Sequence, residues 1–178
     1  MSKTTTLACA CGQFHVELVG DPFIATECHC NSCREAAARL AALPPAFSPA
    51  GDNGGTPYIL YRKDRIRFPD GTAALRAFRL GASAPTRRVL TACCNSPVFL
   101  ELQDGHWLSL YVGLWPEASR PAIDIRTMTA DLPAGTTLDD ALPAGRRATA
   151  GFYARLLAAW IAMGFKVPKI EVPEEIRV

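Results

Sequence analysis

The seven cysteines of this chain fall in three tight clusters, Cys9/Cys11, Cys28/Cys30/Cys33 and Cys93/Cys94. Sulfurs grouped this closely constrain a fold more than any hydropathy pattern does. Either distant stretches of chain meet at a common centre, or the thiols remain free and reactive. An odd total excludes a fully paired disulfide framework. The chain opens on the polar residues Met1 to Thr6 and shows no apolar core of a secretory signal. Its most apolar run, Phe152 to Phe165, carries Arg155 and falls short of the roughly 20 residues that a bilayer span takes. The reading is a cytoplasmic protein whose thiols stay reduced, where clustered cysteines point to metal or redox chemistry.

Zinc binds thiolate at about 2.3 Å in a tetrahedron, and a structural site is closed by four protein ligands. Cys9 and Cys11, followed by Gly12, suit a tight knuckle, since glycine takes positive φ without a steric cost. Cys93 and Cys94 would supply the other two sulfurs. Neighbouring side chains of an extended strand point to opposite faces. Both can reach one metal only if the chain turns at Asn95-Ser96-Pro97; otherwise Cys94 ligates and Cys93 is buried or occupied elsewhere.

The middle cluster, Cys28-x-Cys30-x-x-Cys33, offers three sulfurs on a loop leading into a helix. Three ligands leave a fourth position open, the pattern of a reactive zinc. An incoming thiol there would be held as thiolate, its nucleophilic form. Two other readings stand beside this one: a closed structural site with a fourth ligand not yet identified, and a free Cys30-x-x-Cys33 redox pair. His29 is a candidate proton shuttle or points to solvent. Arg34 pairs with a substrate carboxylate through its planar fork or complements the thiolates. The Gly54-Gly55-Thr56 step brings backbone close to another group, which makes Gly54 and Gly55 candidate cofactor-binding residues, or it is a flexible turn.

The rest of the pattern is mainly β. Phe14, Val16 and Leu18 alternate with His15 and Glu17 over 13–19, a half-buried strand. Further strands are expected over 23–27, 58–61, 66–68, 75–80, 88–91, 98–102, 107–112 and 123–125. Turn signals at Asp70-Gly71, Asp104-Gly105 and Pro116 separate several of them. A short helix is expected over 35–43, stopped by Pro44-Pro45. Residues 130–145, rich in Pro and Gly, should wrap the surface. Over 149–163, Phe152, Leu156, Trp160 and Met163 recur at helical spacing with Tyr153, Leu157 and Ile161 beside them. Thr149 is the expected N-cap and Gly164 the expected stop. So wide an apolar face covers one side of the sheet or makes a homodimer contact.

The net charge is only +2, too small an excess for a nucleic-acid binder. The brief basic runs Arg62-Lys63-Asp64-Arg65 and Arg87-Arg88 read as solvated surface. A length of 178 residues suits one domain.

Together the clusters resemble the glutathione-dependent formaldehyde-activating enzyme family, which includes centromere protein V. That family carries C-x-C-G, then C-H-C-x-x-C-R, then C-x-x-C-G-T-P. Here the corresponding residues are Cys9-Ala10-Cys11-Gly12, then Cys28-His29-Cys30-Asn31-Ser32-Cys33-Arg34, then Cys93-Cys94-Asn95-Ser96-Pro97. The resemblance runs from Leu7 to about Leu100. It implies a β-tent-like fold: antiparallel sheets pinned by zinc, here with a C-terminal helix and a core of about 7–126. It implies Cys9, Cys11 and Cys94 as structural-zinc ligands, and Cys28, Cys30 and Cys33 as ligands of a catalytic zinc. The cosubstrates it implies are glutathione or another small thiol and an aldehyde, in carbon–sulfur lyase chemistry. Two departures are plain: Thr91 stands where the first late cysteine should be, with Cys93 a shifted substitute, and Asn95 replaces a glycine. The alternatives to this enzyme are a binding module with purely structural zinc and a thiol–disulfide switch at Cys30 and Cys33.

Overall fold

The computed structural model describes residues 3–44 and 47–178. Met1 and Ser2 of the polar opening, Pro45 of the expected helix stop and Ala46 of the loop after it lie outside the described residues.

The chain is mainly β. Three strands, β1 (Thr4–Ala8), β2 (His15–Val19) and β5 (Ile66–Arg67), form a small antiparallel sheet in the order β1-β2-β5. The large sheet has eight strands in the order β10-β3-β4-β9-β8-β7-β6-β11. Its central strands are β3 (Ile24–Cys28), β4 (Thr56–Arg62), β6 (Leu75–Phe78), β7 (Thr86–Thr91), β8 (Pro97–Leu102) and β9 (Trp107–Tyr111), paired antiparallel throughout. Its two edges are parallel additions, β10 (Ile125–Thr127) on β3 and β11 (Glu174–Glu175) on β6.

Strand periodicity sorts the core into layers, because successive side chains of a strand face opposite ways. Ile59 and Tyr61 join Leu7, Val16, Leu18, Val89 and Phe99 in a core between the two sheets. Tyr58 and Leu60, one residue out of phase, join Ile24, Tyr111 and Ile125 on the other face. Helices α1 (Asn31–Leu40) and α2 (Gly145–Ala162) cover that second face, through Cys33 and Leu156 respectively. α1 also packs Ala36 and Leu40 on Phe78 and Leu90.

Several expectations need correction. α1 begins four residues earlier than expected and ends three earlier, at Leu40. The Cys30 side chain caps it by accepting from the Cys33 amide, so Cys33 lies in the first turn rather than on a loop. α2 begins at Gly145; Ala144 is its N-cap residue, and the Thr149 hydroxyl donates within the helix to the Gly145 carbonyl. Gly164 does end it, with φ +62°. Leu156, Ala159 and Met163 are buried, but Tyr153, Leu157 and Ile161 are each more than half exposed, so only part of the apolar face is covered within one chain. The basic runs are not uniformly solvated. Lys63 is buried and pairs with Glu101 at 2.6 Å, and Arg88 is 1% exposed. The tail beyond α2 is structural: Ile170 and Val172 pack against the first core, and Ile176 and Val178 against Phe78 and its neighbours. Among the described residues no helix is long and apolar enough to cross a membrane.

Candidate metal centres

The two sulfur groups sit on opposite faces of the large sheet, Cys9 in the core between the sheets and Cys33 in the core beneath the helices. The first group is built from two turns. After β1 the chain reverses at Gly12, whose φ is +76° and whose amide donates to the Cys9 carbonyl at 2.9 Å. The β7–β8 connection turns at Asn95, with φ +55°. Asn, with its short polar side chain, tolerates that region better than most residues. The Thr91 hydroxyl accepts from the Ser96 amide at 3.1 Å and steadies this turn. The Ser96 hydroxyl accepts from the Ala10 amide at 3.0 Å, which ties one turn to the other.

This brings Cys9, Cys11, Cys93 and Cys94 together, all four sulfurs within 4.8 Å of one another. Cys11 and Cys93 are 3.3 Å apart, Cys9 and Cys11 3.5 Å, Cys9 and Cys93 3.7 Å, and Cys93 and Cys94 3.8 Å. A tetrahedron with 2.3 Å metal–sulfur bonds has edges of about 3.8 Å, so the set fits zinc closely. The turn at Asn95 lets both adjacent cysteines face the same point. Thr91, standing where the resemblance calls for a cysteine, places its hydroxyl 3.3 Å from the Cys94 sulfur instead. Burial opposes ionisation of Cys94, but hydrogen bonding from Ser96 and Thr91 outweighs it and brings the thiol down to about 5. Burial and the Cys11 thiol push Cys93 up to about 12.

The second group joins the end of β3 to the start of α1. Cys28 closes the strand, Cys30 caps the helix, and Cys33 lies one turn in. Their sulfurs also lie within 4.8 Å of one another, and among the described residues no His, Asp or Glu joins them. Hydrogen bonds from the Cys28 and Cys33 thiols hold Cys30 far below the ordinary thiol range, while hydrogen bonding with Cys28 and Cys30, and burial, push Cys33 far above it. The Cys33 amide also points at the Cys30 sulfur, at 3.3 Å, an arrangement in which a helix N-terminus favours negative charge. The Tyr58 hydroxyl lies 3.6 Å from the Cys33 sulfur. Both groups could therefore hold a metal ion such as zinc.

A cavity of about 260 Å³ opens against this second group. Cys28, Cys30 and Cys33 form one wall, Leu60, Leu100 and Trp107 another, and Phe152 and Tyr153 of α2 a third. A larger cavity, about 830 Å³, lies elsewhere, under the 167–173 stretch of the tail. Among the described residues no cysteine lines it, and its Lys63 and Arg87 both pair with Glu101.

His29 does not point to solvent. It is fully buried, with Nε2 on the Glu27 carboxylate at 2.8 Å and Nδ1 without a partner among the described residues. It is not among the residues lining the 260 Å³ cavity. Glu27 gathers Asn53 and Arg126 on the same oxygen; burial would raise its pKa, but these donors together outweigh it and hold it below the usual carboxylate range. Arg34 spends its guanidinium on the carbonyls of His29 and Asp131 and on the Asn31 side chain, so it binds the loop together rather than facing the thiolates. Gly54 takes φ +75° in its turn. Gly55 is the close approach: a Cβ there would meet Glu27 Cγ at 2.6 Å and His29 Cε1 at 2.7 Å. The group it approaches belongs to the protein itself. His15 pairs with Asp70, and His106 Nε2 donates to the Leu156 carbonyl of α2 at 2.9 Å.

Sequence reading missed Arg88. It donates to the Ser32 carbonyl, between Cys30 and Cys33 in the chain, and to the Thr86 hydroxyl. Among the described residues no carboxylate pairs with it. A buried cation is costly without a compensating anion, and three thiolates on a divalent ion carry a net charge of −1. The only signal in the sequence was its place directly before the apolar pair Val89-Leu90 of its strand.

Residues 1–120 match DUF6151, a family of unknown function. The chain belongs to that family. No protein of curated function matches it. The DUF6151 match takes in all seven cysteines and ends before β10 and α2. Phe152 and Tyr153, which close the cavity, thus come from outside the span that the family shares.

Proposed function

We propose that this DUF6151 protein is a zinc-dependent enzyme of carbon–sulfur lyase type, which joins a small thiol to an aldehyde or releases one from the other. Cys9, Cys11, Cys93 and Cys94 hold a structural zinc, and Cys28, Cys30 and Cys33 a reactive one. The observation that carries this reading is the three-sulfur group at the wall of a 260 Å³ cavity. The likeness of its motifs to the formaldehyde-activating family supports the same chemistry, with glutathione or another small thiol as cosubstrate.

Zinc, when bound there, supplies a Lewis acid that keeps a fourth sulfur in the thiolate form at neutral pH. The chain does the rest. Cys28, Cys30 and Cys33 fix the position of that sulfur against the cavity. Tyr58, on the Cys33 sulfur, and Arg88, behind Ser32, steady the charge of the group. Leu60, Leu100, Trp107 and Phe152 keep water from the reacting atoms. In the forward direction the thiol sulfur forms a bond to the aldehyde carbon. The carbonyl π pair moves to oxygen, which ends with the proton the thiol gave up. The reverse step breaks the same carbon–sulfur bond.

The test is aldehyde consumption by metal-loaded protein with formaldehyde and a panel of thiols. A thiol-dependent rate is expected, lost in Cys30→Ser while the four-sulfur zinc remains. No rate above background with any thiol would count against the enzyme. It would favour a binding module instead, for which the exposed Tyr153, Leu157 and Ile161 of α2 are the supporting observation.

A further inference from the structure

Among the described residues, no Arg, Lys, Asp or Glu lines the cavity at the middle cysteines. The contrast with the other cavities is sharp. The 830 Å³ cavity is lined by Lys63, Arg79, Arg87, Glu101 and other charged residues, and another, of about 750 Å³, by Arg39, Arg79, Glu175 and Arg177. Beyond the sulfurs, the walls are Leu60, Leu100, Leu102, Trp107 and Phe152, relieved only by hydroxyls such as those of Tyr58 and Ser109. Met128 and Tyr153, the lining residues that are at least half exposed, carry no charge either.

The nearby cations are committed. Arg34 is bound to the His29 and Asp131 carbonyls, Arg126 to Glu27 and Asp139, and Arg155 to Asp124. Arg88 is buried behind Ser32 and Thr86 and does not reach the lining. Arg146 and Arg147, at the start of α2, are exposed and are not lining residues.

We propose that the thiol this site takes is small and uncharged, with an apolar or aromatic body, rather than glutathione. This rests on the reading that Cys28, Cys30 and Cys33 hold a reactive metal. Glutathione carries two carboxylates and an ammonium at neutral pH. Moving such groups into a cavity with no opposite charge costs several kcal/mol each. A neutral thiol with an aromatic ring loses nothing and gains by removing apolar surface from water. Phe152 and Tyr153 lie outside the span shared with DUF6151, so the C-terminal part of the chain contributes one wall of this cavity. The bond made is the same as above: thiol sulfur to aldehyde carbon, with the thiol proton ending on the aldehyde oxygen.

The test uses the full chain loaded with cobalt(II), whose thiolate charge-transfer and d–d bands report a new sulfur at an open site. It is titrated with benzyl mercaptan, glutathione, and the matched pair 3-mercaptopropionamide and 3-mercaptopropionate, which differ by one charge. The amide should bind at least about 10-fold tighter than the acid, and benzyl mercaptan about 100-fold tighter than glutathione. Phe152→Ala should weaken benzyl mercaptan about 10-fold and leave the amide within about 2-fold. Glutathione or the acid binding as tightly as its neutral counterpart would overturn the specificity while leaving the metal centre standing. So would an unchanged affinity of Phe152→Ala for benzyl mercaptan. A spectrum that no thiol perturbs, or that Cys30→Ser leaves intact, would instead remove the reactive metal centre itself, and the specificity with it.

Discussion

The sulfurs of Cys11 and Cys93 lie 3.3 Å apart although 82 positions separate them in the chain. Their turns belong to different sheets: Cys11 follows β1 of the small sheet, and Cys93 follows β7 of the large one. A metal held by both would tie the two sheets together, and its binding free energy would be folding free energy. Removing one ligand is therefore a structural change. Cys93→Ala is expected to lose one zinc and destabilise the fold by about 4 kcal/mol or more, roughly 10 °C in Tm for a chain this long. Thermal unfolding with parallel zinc analysis checks it. An unchanged Tm would mean that Cys94 alone serves the late position.

The Ser96 hydroxyl holds both turns, through the Ala10 amide and the Cys94 sulfur at 3.1 Å. Ser96 is fully buried. Ser96→Ala leaves the Ala10 amide without its acceptor, at a cost of about 1–3 kcal/mol. Denaturant unfolding of the zinc-loaded variant measures it, and the four-sulfur site should also release zinc to a chelator faster than wild type.

Gly55 backs onto Glu27 and His29 beneath the middle cluster. Gly55→Ala should force these side chains aside and cost about 1–3 kcal/mol. Because His29 lies between Cys28 and Cys30, the loss should appear as weaker metal binding at the middle site, with the four-sulfur site unaffected. Competition with a chromophoric chelator resolves the two.

Cys94 gives a pH signature in metal-free protein. Its thiol is brought down to about 5 in the fold, against about 8.5 in an unfolded chain. A depressed folded value means that the ionised form stabilises the fold. The contribution is complete above about pH 8.5 and is lost as pH falls through about 5. Alkylation of Cys94 by iodoacetamide, followed by peptide mass mapping, should reach half its maximal rate near pH 5. Thr91→Val should move that midpoint upward. A midpoint near 8.5 in wild-type protein would show that the Ser96 and Thr91 hydroxyls do not act on this sulfur.

Much of the β architecture was legible because period-2 alternation survives in strands with one face on a core. Phe14, Val16 and Leu18 are buried as the pattern requires. β1 was missed because Thr4–Ala8 buries only Leu7 and otherwise reads as polar chain. The start of α1 was missed because the cap is a sulfur rather than a hydroxyl or carboxamide, and Cys30 reads as a ligand before it reads as a cap. The N-cap of α2 was misplaced because Thr149 is a good capping residue by type, yet here its hydroxyl is used inside the helix. Lys63 and Arg88 could not be told from surface cations, since burial of a charge depends on partners brought in by the fold: Glu101 for one, the Ser32 carbonyl and the Thr86 hydroxyl for the other. The cysteine groups were legible because ligand chemistry is local in type, and the fold had only to supply convergence. The cavity was not, because its walls come from β4, β8, β9 and α2 at once.

Metal stoichiometry tests the account most directly. Elemental analysis of protein purified with zinc present should find two ions per chain, falling to one in Cys30→Ser and to one in Cys9→Ser. A single ion that survives Cys30→Ser unchanged would contradict the reactive centre, and a chain that binds none would contradict the account as a whole.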